Sequence, residues 1–265
     1  MARNDGVRAA RGVLHRFGVQ APEHIAVEAF AAAYGATLVE APLDGAQAQL
    51  VRTADKIEIV LAERVTDPAA RRFSVAHELG HLVLEHPPKR PSELCDIGAR
   101  ARRKGEDDVE AEANAFAGEL LLPESLLRRR CEVSPVDLSI PRAIAEAFRV
   151  SLLAAAIRFV ELASERCAAV FSSKGAVKWC AASASFPGEV ARGKRLDPHS
   201  LAHDFFAGRA LPDAPEPVPA DAWLDTTRGD VDLIEHSIGS PELGTVLTIL
   251  WIPEDAGQVL DFARE

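Results

Sequence analysis

Apolar residues recur at helical spacing through most of the first 165 positions and gather into strand-like runs after that. "DGVRAARGVLHRFGV" and "PEHIAVEAFAAAYG" each carry a stripe of apolar residues three and four apart, and Gly35 stands where the second helix should stop. Short β-type runs at 36–41, 48–52 and 56–62 predict a small sheet. A further helix is expected over "TDPAARRFSVAHELGHLVLEH", with Thr66 or Asp67 as its cap, Pro68 in its first turn, and Pro87 and Pro88 at its end. Residues 87–105, rich in proline and charge, read as a loop. Helical spacing resumes in "DDVEAEANAFAGELL" and stops at Pro123. Over 135–165 it gives two helices joined near "RVS", with Ser151 as a candidate cap.

From residue 166 the texture changes. "CAAVFS", "AVKWCAAS", "VDLIEHSIG" and "LGTVLTILWIP" read as strands, interrupted by a helix-like "PHSLAHDFFAG" and the proline-rich "LPDAPEPVPADAW". The pattern as a whole predicts an α+β fold in three parts: 1–132 with the small sheet, a helical, helix-turn-helix-like segment at 133–165, and a C-terminal α+β domain with an antiparallel sheet at 166–265.

The helix at 71–86 poses a chemical question. Phe73, Val75, Ala76, Leu79, Leu82, Val83 and Leu84 cover so much of its surface that little of it should face water, yet it carries His77, Glu78 and His81. Buried polar groups need partners, since leaving them without one costs several kcal/mol by order of magnitude. His77 and His81 are four residues apart, about 400° around a helix, and so nearly on one face. They can hold one metal ion together, while Glu78, about 100° from His77, lies beside that face and can hold a water. This is the HExxH arrangement of zinc peptidases, in which the metal acidifies a water and the carboxylate takes its proton.

Catalytic zinc usually takes three protein ligands. His86, five residues after His81, would lie about 140° away on a continued helix and is expected to end the helix rather than bind metal, its charge suiting the dipole there. Glu110 is the stronger candidate. On its helix Ala113, Asn114, Ala117 and Leu121 lie within about 60° of it, so Glu110 shares the core-facing stripe, and Asn114 can hydrogen-bond to a ligand. Ala113 and Ala117 are small enough for close approach of the two helices, whereas Glu112, about 200° away, is expected to face solvent.

These motifs carry a family resemblance. "RRFSVAHELGHLVLEH" followed by "EAEANAFAGELLLP" resembles the ImmA/IrrE metallopeptidases, whose pattern is RF-x-x-AHE-x-GH and, further on, E-x-x-AN-x-FA-x-x-LL-x-P. The resemblance implies a zincin-like core, one zinc ion per chain held by His77, His81 and Glu110, and Glu78 as general base. It also implies an activity: site-specific endopeptidase cleavage of a helix-turn-helix repressor, which relieves repression of stress-response or mobile-element genes. For 166–265 it implies a regulatory appendage of GAF-like type.

Composition narrows the alternatives. With 48% hydrophobic and 26% charged residues the chain has globular rather than disordered composition. The charged N-terminus has no signal-peptide core and no run is long enough for a membrane span, so a cytoplasmic location without membrane contact is expected. Cys95, Cys131, Cys167 and Cys180 form no CxxC pair, and each reads as a reduced, structural cysteine, including Cys95 in the loop. A formal charge of −10 opposes nucleic-acid binding, and basic "RARRKG" is followed at once by acidic "EDDVEAE". The second helix of the helix-turn-helix-like segment offers a groove only Arg158, so that segment reads as a bracket on the peptidase core and not as a DNA reader. Tyr34 falls at a helix end and is given no catalytic role, and Trp179, Trp223 and Trp251 read as core or rim anchors. The rival expectations are a non-proteolytic regulator that displaces a repressor and an antitoxin-like module that binds DNA.

Overall fold

The computed structural model describes residues 2–87, 106–224, 231–254 and 256. Residues 88–105, where a loop carrying Cys95 and Pro88 was expected, lie outside the described residues. Two compact units emerge, one of residues 1–126 with 145–151, the other of 127–144 with 152–265. Both mix helices and sheet, the α+β class expected.

In the first unit α1 (Ala2–Arg16) is followed by a 3₁₀ turn at Pro22–His24 and by α2 (Val27–Ala33), so the single helix expected over 22–34 is broken at Ile25 and Ala26. Gly35, at φ 82°, ends α2 by a turn that side chains with a Cβ rarely adopt. The strands β1 (Ala36–Ala41), β2 (Ala48–Arg52) and β3 (Ile57–Ala62) form a sheet in the order β1-β3-β2, with β1 parallel and β2 antiparallel to β3. Central β3 buries Ile59, Leu61 and Ala62, while β2 is an edge. Thr53 N–H bonds Lys56 O and Ala62 N–H bonds Gln47 O. By the alternation of an antiparallel ladder, Ala48, Leu50 and Arg52 therefore turn their backbone groups away from β3.

Helix α3 (Pro68–Val83) starts as its sequence demands: the Asp67 side chain accepts from Ala70 N–H at 2.7 Å, and Pro68 occupies the first turn. It buries Val75, Ala76 and Leu79, but Phe73 is 37% exposed, one turn before His77 on the open side. The helix also ends earlier than expected, four residues short of Pro87. Glu85 takes the left-handed conformation at φ 55°, Glu85 N–H reaches Leu82 O at 3.3 Å and His86 N–H reaches His81 O at 3.0 Å. This is a Schellman ending, which satisfies the last carbonyls and folds the chain back over the helix.

Helix α4 (Glu106–Leu121) packs against α1 and α3. Approach is close enough that a Cβ added at Gly80 of α3 would lie 3.0–3.2 Å from Phe116, and one at Gly6 of α1 would lie 2.1 Å from Glu112 O. Ala113, Phe116, Ala117 and Leu120 are fully buried there.

Helix α5 (Glu124–Cys131), not anticipated from the sequence, leads into α6 (Ser139–Phe148) and α7 (Leu152–Leu162). The α6–α7 pair has the predicted break near Arg149. Helix α7, however, buries Ala155, Ala156, Phe159 and Val160 and packs on β4 and β5 of the second unit, which corrects the expectation of a bracket on the peptidase core. Of its own residues only Glu161 is exposed. The second unit continues with β4 (Arg166–Ser173), β5 (Ala176–Ala182), α8 (Leu201–Phe206), β6 (Glu216–Pro219), β7 (Asp232–Ser240) and β8 (Thr245–Ile252). Its sheet is antiparallel throughout, in the order β5-β4-β8-β7-β6. Strand β6 was hidden by its prolines; Pro217 and Pro219 are tolerated because β6 is an edge. Trp223 lies in the core, Trp179 stacks on Phe171 at 5.8 Å, and Trp251 donates to Glu165 at 2.8 Å, so all three anchor structure. The thiols of Cys131, Cys167 and Cys180 are free, and burial pushes them up to about 11, about 12 and about 11.

Candidate metal centre

One turn of α3 sets His77 and His81 side by side with their Nε2 atoms 3.0 Å apart. Glu110 comes from the facing helix α4, with Oε2 at 3.4 Å from His77 Nε2 and Oε1 at 3.4 Å from His81 Nε2. Four-coordinate zinc with bonds of about 2.0–2.1 Å has ligand atoms about 3.3–3.4 Å apart. The three residues could hold a metal ion, their donor atoms all lying within 4.8 Å of one another. Two imidazoles and a carboxylate leave a fourth position open, the donor set of a catalytic rather than a structural zinc site. The group is sheltered: His81 is 4% exposed and Glu110 9%.

Neighbours set the protons on both imidazoles. His77 Nδ1 lies 3.1 Å from Asn114 Oδ1, an acceptor that favours the tautomer with the proton on Nδ1, the one that leaves the Nε2 lone pair for a cation. His81 Nδ1 lies 2.9 Å from His86 Nδ1, and His86 Nε2 lies 2.9 Å from Glu112 Oε2.

Two expectations are corrected here. His86 does follow the end of the helix, but its ring is buried against His81 instead of standing free at that end, and Glu112, expected to face solvent, receives His86. The angle of about 140° presumed a helix running through 86. The Schellman turn at Glu85 takes His86 off that helix and brings its ring back to His81.

Glu78 stands outside the three-donor group, 5% exposed, with Oε2 accepting from Leu50 N–H at 2.8 Å. Leu50 is among the β2 residues whose backbone turns outward, so the carboxylate is held at the open edge of the sheet. Arg52, also on β2, donates to His81 O at 2.9 Å and ties the end of α3 to the same strand. On the helix's other flank Arg72 donates to Ile25 O, and burial lowers its pKa. Tyr34 closes α2 beneath the Arg16 guanidinium, 4.8 Å from its ring centre, a structural position.

A two-histidine helix, a glutamate from a second helix and an edge strand define a metallopeptidase-like domain. Residues 31–160 match the M78 peptidases, described as the IrrE N-terminal-like domain, so this part of the chain is a domain of the ImmA/IrrE type. No curated protein matches the chain. Among solved structures it is similar to a Mycobacterium tuberculosis transcriptional regulator at 16% identity and TM-score 0.60, over 98% of this chain and 79% of that one. At that identity the likeness concerns the fold. Among the described residues no helix is long and apolar enough to cross a membrane.

Proposed function

We propose that the chain is a cytoplasmic zinc endopeptidase that cuts a helix-turn-helix transcriptional repressor and so derepresses stress-response or mobile-element genes. The observation that carries this reading is the convergence of His77, His81 and Glu110 beside a buried Glu78 at the edge of a sheet. A zinc ion bound by the three residues supplies Lewis acidity toward a carbonyl and toward water. Glu78 is the base that takes the proton of the attacking water and returns it to the leaving amine. An extended substrate segment adds to β2, whose outward backbone groups at Ala48, Leu50 and Arg52 offer ladder partners. To bind there it competes with Glu78 for the Leu50 N–H, which turns the carboxylate free where the bond is to be cut. Residues 166–265 act as a GAF-like regulatory or substrate-docking module. Direct DNA binding is disfavoured by α7, which exposes only Glu161 to a groove.

The test compares wild type with Glu78→Gln, measuring bound zinc and cleavage of the helix-turn-helix repressor encoded nearest to the gene. Both should bind about one zinc ion, and the variant should cut about 10²–10⁴-fold more slowly. Release of an intact repressor from its operator by both proteins would instead establish a non-proteolytic regulator. Salt-dependent DNA affinity retained by the variant would support the antitoxin-like alternative.

A further inference from the structure

We infer that His86 and Glu112 are positioning residues for the metal site: the chain His81–His86–Glu112 holds His81 in the one tautomer and ring orientation that can bind a cation. This rests on the reading of His77, His81 and Glu110 as metal ligands.

The direction of the chain follows from counting protons. An Nδ1···Nδ1 distance of 2.9 Å between His81 and His86 is a hydrogen bond only if one of the two nitrogens carries hydrogen. His81 Nε2 faces His77 Nε2 at 3.0 Å and Glu110 at 3.4 Å, and a cation there needs its lone pair. The His81 proton is then on Nδ1, His86 Nδ1 accepts it, and the proton of neutral His86 sits on Nε2. Glu112 Oε2, 2.9 Å from that Nε2, is a carboxylate acceptor and terminates the chain. For a neutral His86 the opposite polarity would need a donor at Glu112, and a doubly protonated His86 would likewise put the His81 proton on Nε2, in the place of the cation.

Burial makes the arrangement hard to replace. His81 and His86 are 4% and 7% exposed, so bulk water does not readily supply another acceptor to His81 Nδ1. The backbone reinforces the side chains, since His86 N–H also bonds His81 O. The two ligand imidazoles are thus supported differently. His77 ends on a neutral amide, whereas His81 is backed through a second imidazole by an anion, which raises its basicity toward a metal.

The experiment uses the full chain. Zinc affinity is measured by competition with a chromogenic chelator, and the thermal midpoint of the metal-free protein is recorded alongside. His86→Ala should weaken zinc binding by about 10–100-fold, and Glu112→Gln, which keeps a neutral acceptor, by a smaller factor. His86→Asn, which restores an acceptor at the Nδ1 position, should recover part of the loss. If His86→Ala fails to fold, His86→Asn and Glu112→Gln still carry the comparison. Zinc affinities equal to wild type in the variants, with lowered metal-free midpoints, would show a merely structural role and overturn the inference. Wild type binding no zinc would overturn the metal-site reading itself, and the inference with it.

Discussion

Glu78 and Glu235 are both buried carboxylates, held by different donors to different ends. Glu78 takes the Leu50 N–H from an edge strand and stays beside the three-donor group. Glu235, fully buried on β7, accepts from four donors: Leu201 N–H at 3.0 Å and Trp223 Nε1–H at 2.7 Å on one oxygen, Ala202 N–H at 2.7 Å and Ser237 O–H at 2.8 Å on the other. It thereby closes the first turn of α8 and orients the core tryptophan. Burial still wins over those donors and raises its pKa from 4.5. The native protein therefore binds the extra proton in the window between 4.5 and the raised value, and stability falls as pH rises through that window. Glu235→Gln should lack this slope. It should also destabilise the second unit by about 1–3 kcal/mol at neutral pH, because an amide NH₂ faces two donors. Urea titrations of both proteins across the acid range check this, and parallel pH dependences would show that Glu235 does not carry the proton. At this scale the three candidate donors and their neighbour Asn114 were legible in the sequence because helical spacing fixes where His77, His81, Glu110 and Asn114 point. His86 and Glu112 were not, because a helical wheel does not report a left-handed residue that turns the chain back.

Elements meet where side chains are missing. Gly80 lies inside the HExxH turn, and a Cβ there would sit 3.0 Å from Phe116 Cδ1 and 3.2 Å from its Cβ and Cγ. Phe116 is fully buried on α4, the helix that brings Glu110 to the histidines, so it has little room to yield. Gly80→Ala should therefore cost about 1–3 kcal/mol as an overpacked contact. It should also weaken zinc binding, since relief by separating α3 from α4 carries Glu110 away from His77 and His81. Chelator competition and a thermal melt read the two effects, and a melt lowered with zinc affinity untouched would mean that Phe116 turns aside without moving α4. The caps and strands that were legible beforehand are those with local causes: Asp67, Pro68, Gly35 and the three runs that became β1, β2 and β3. Helix α5 and strand β6 escaped notice for want of such causes. The short α5 follows Pro123, and β6 carries two prolines that a sheet tolerates only at its edge.

At the scale of the molecule, all the candidate site residues lie in one compact unit, while the chain passes to the other at residue 127, returns at 145 and leaves again at 152. The sequence offered no sign of that interleaving, because the helical spacing of 135–165 shows which faces are apolar but not which sheet they cover. Helix α7 covers β4 and β5, with Ala155, Ala156, Phe159 and Val160 at 0% exposure, and Leu138 N–H bonds His236 Nδ1 across the same unit. A chain cut after residue 165 keeps the apolar face of α7 and loses the strands it covers, along with the acceptor for Leu138. The truncated protein should consequently bind a hydrophobic dye and associate in solution, which fluorescence and light scattering would record. Full-length Glu235→Gln, whose defect is confined to the second unit, should bind zinc with wild-type affinity. A monomeric, dye-negative 1–165 fragment would instead mean that the helical segment finds a sufficient partner within the first unit, and that 133–165 forms a separable piece.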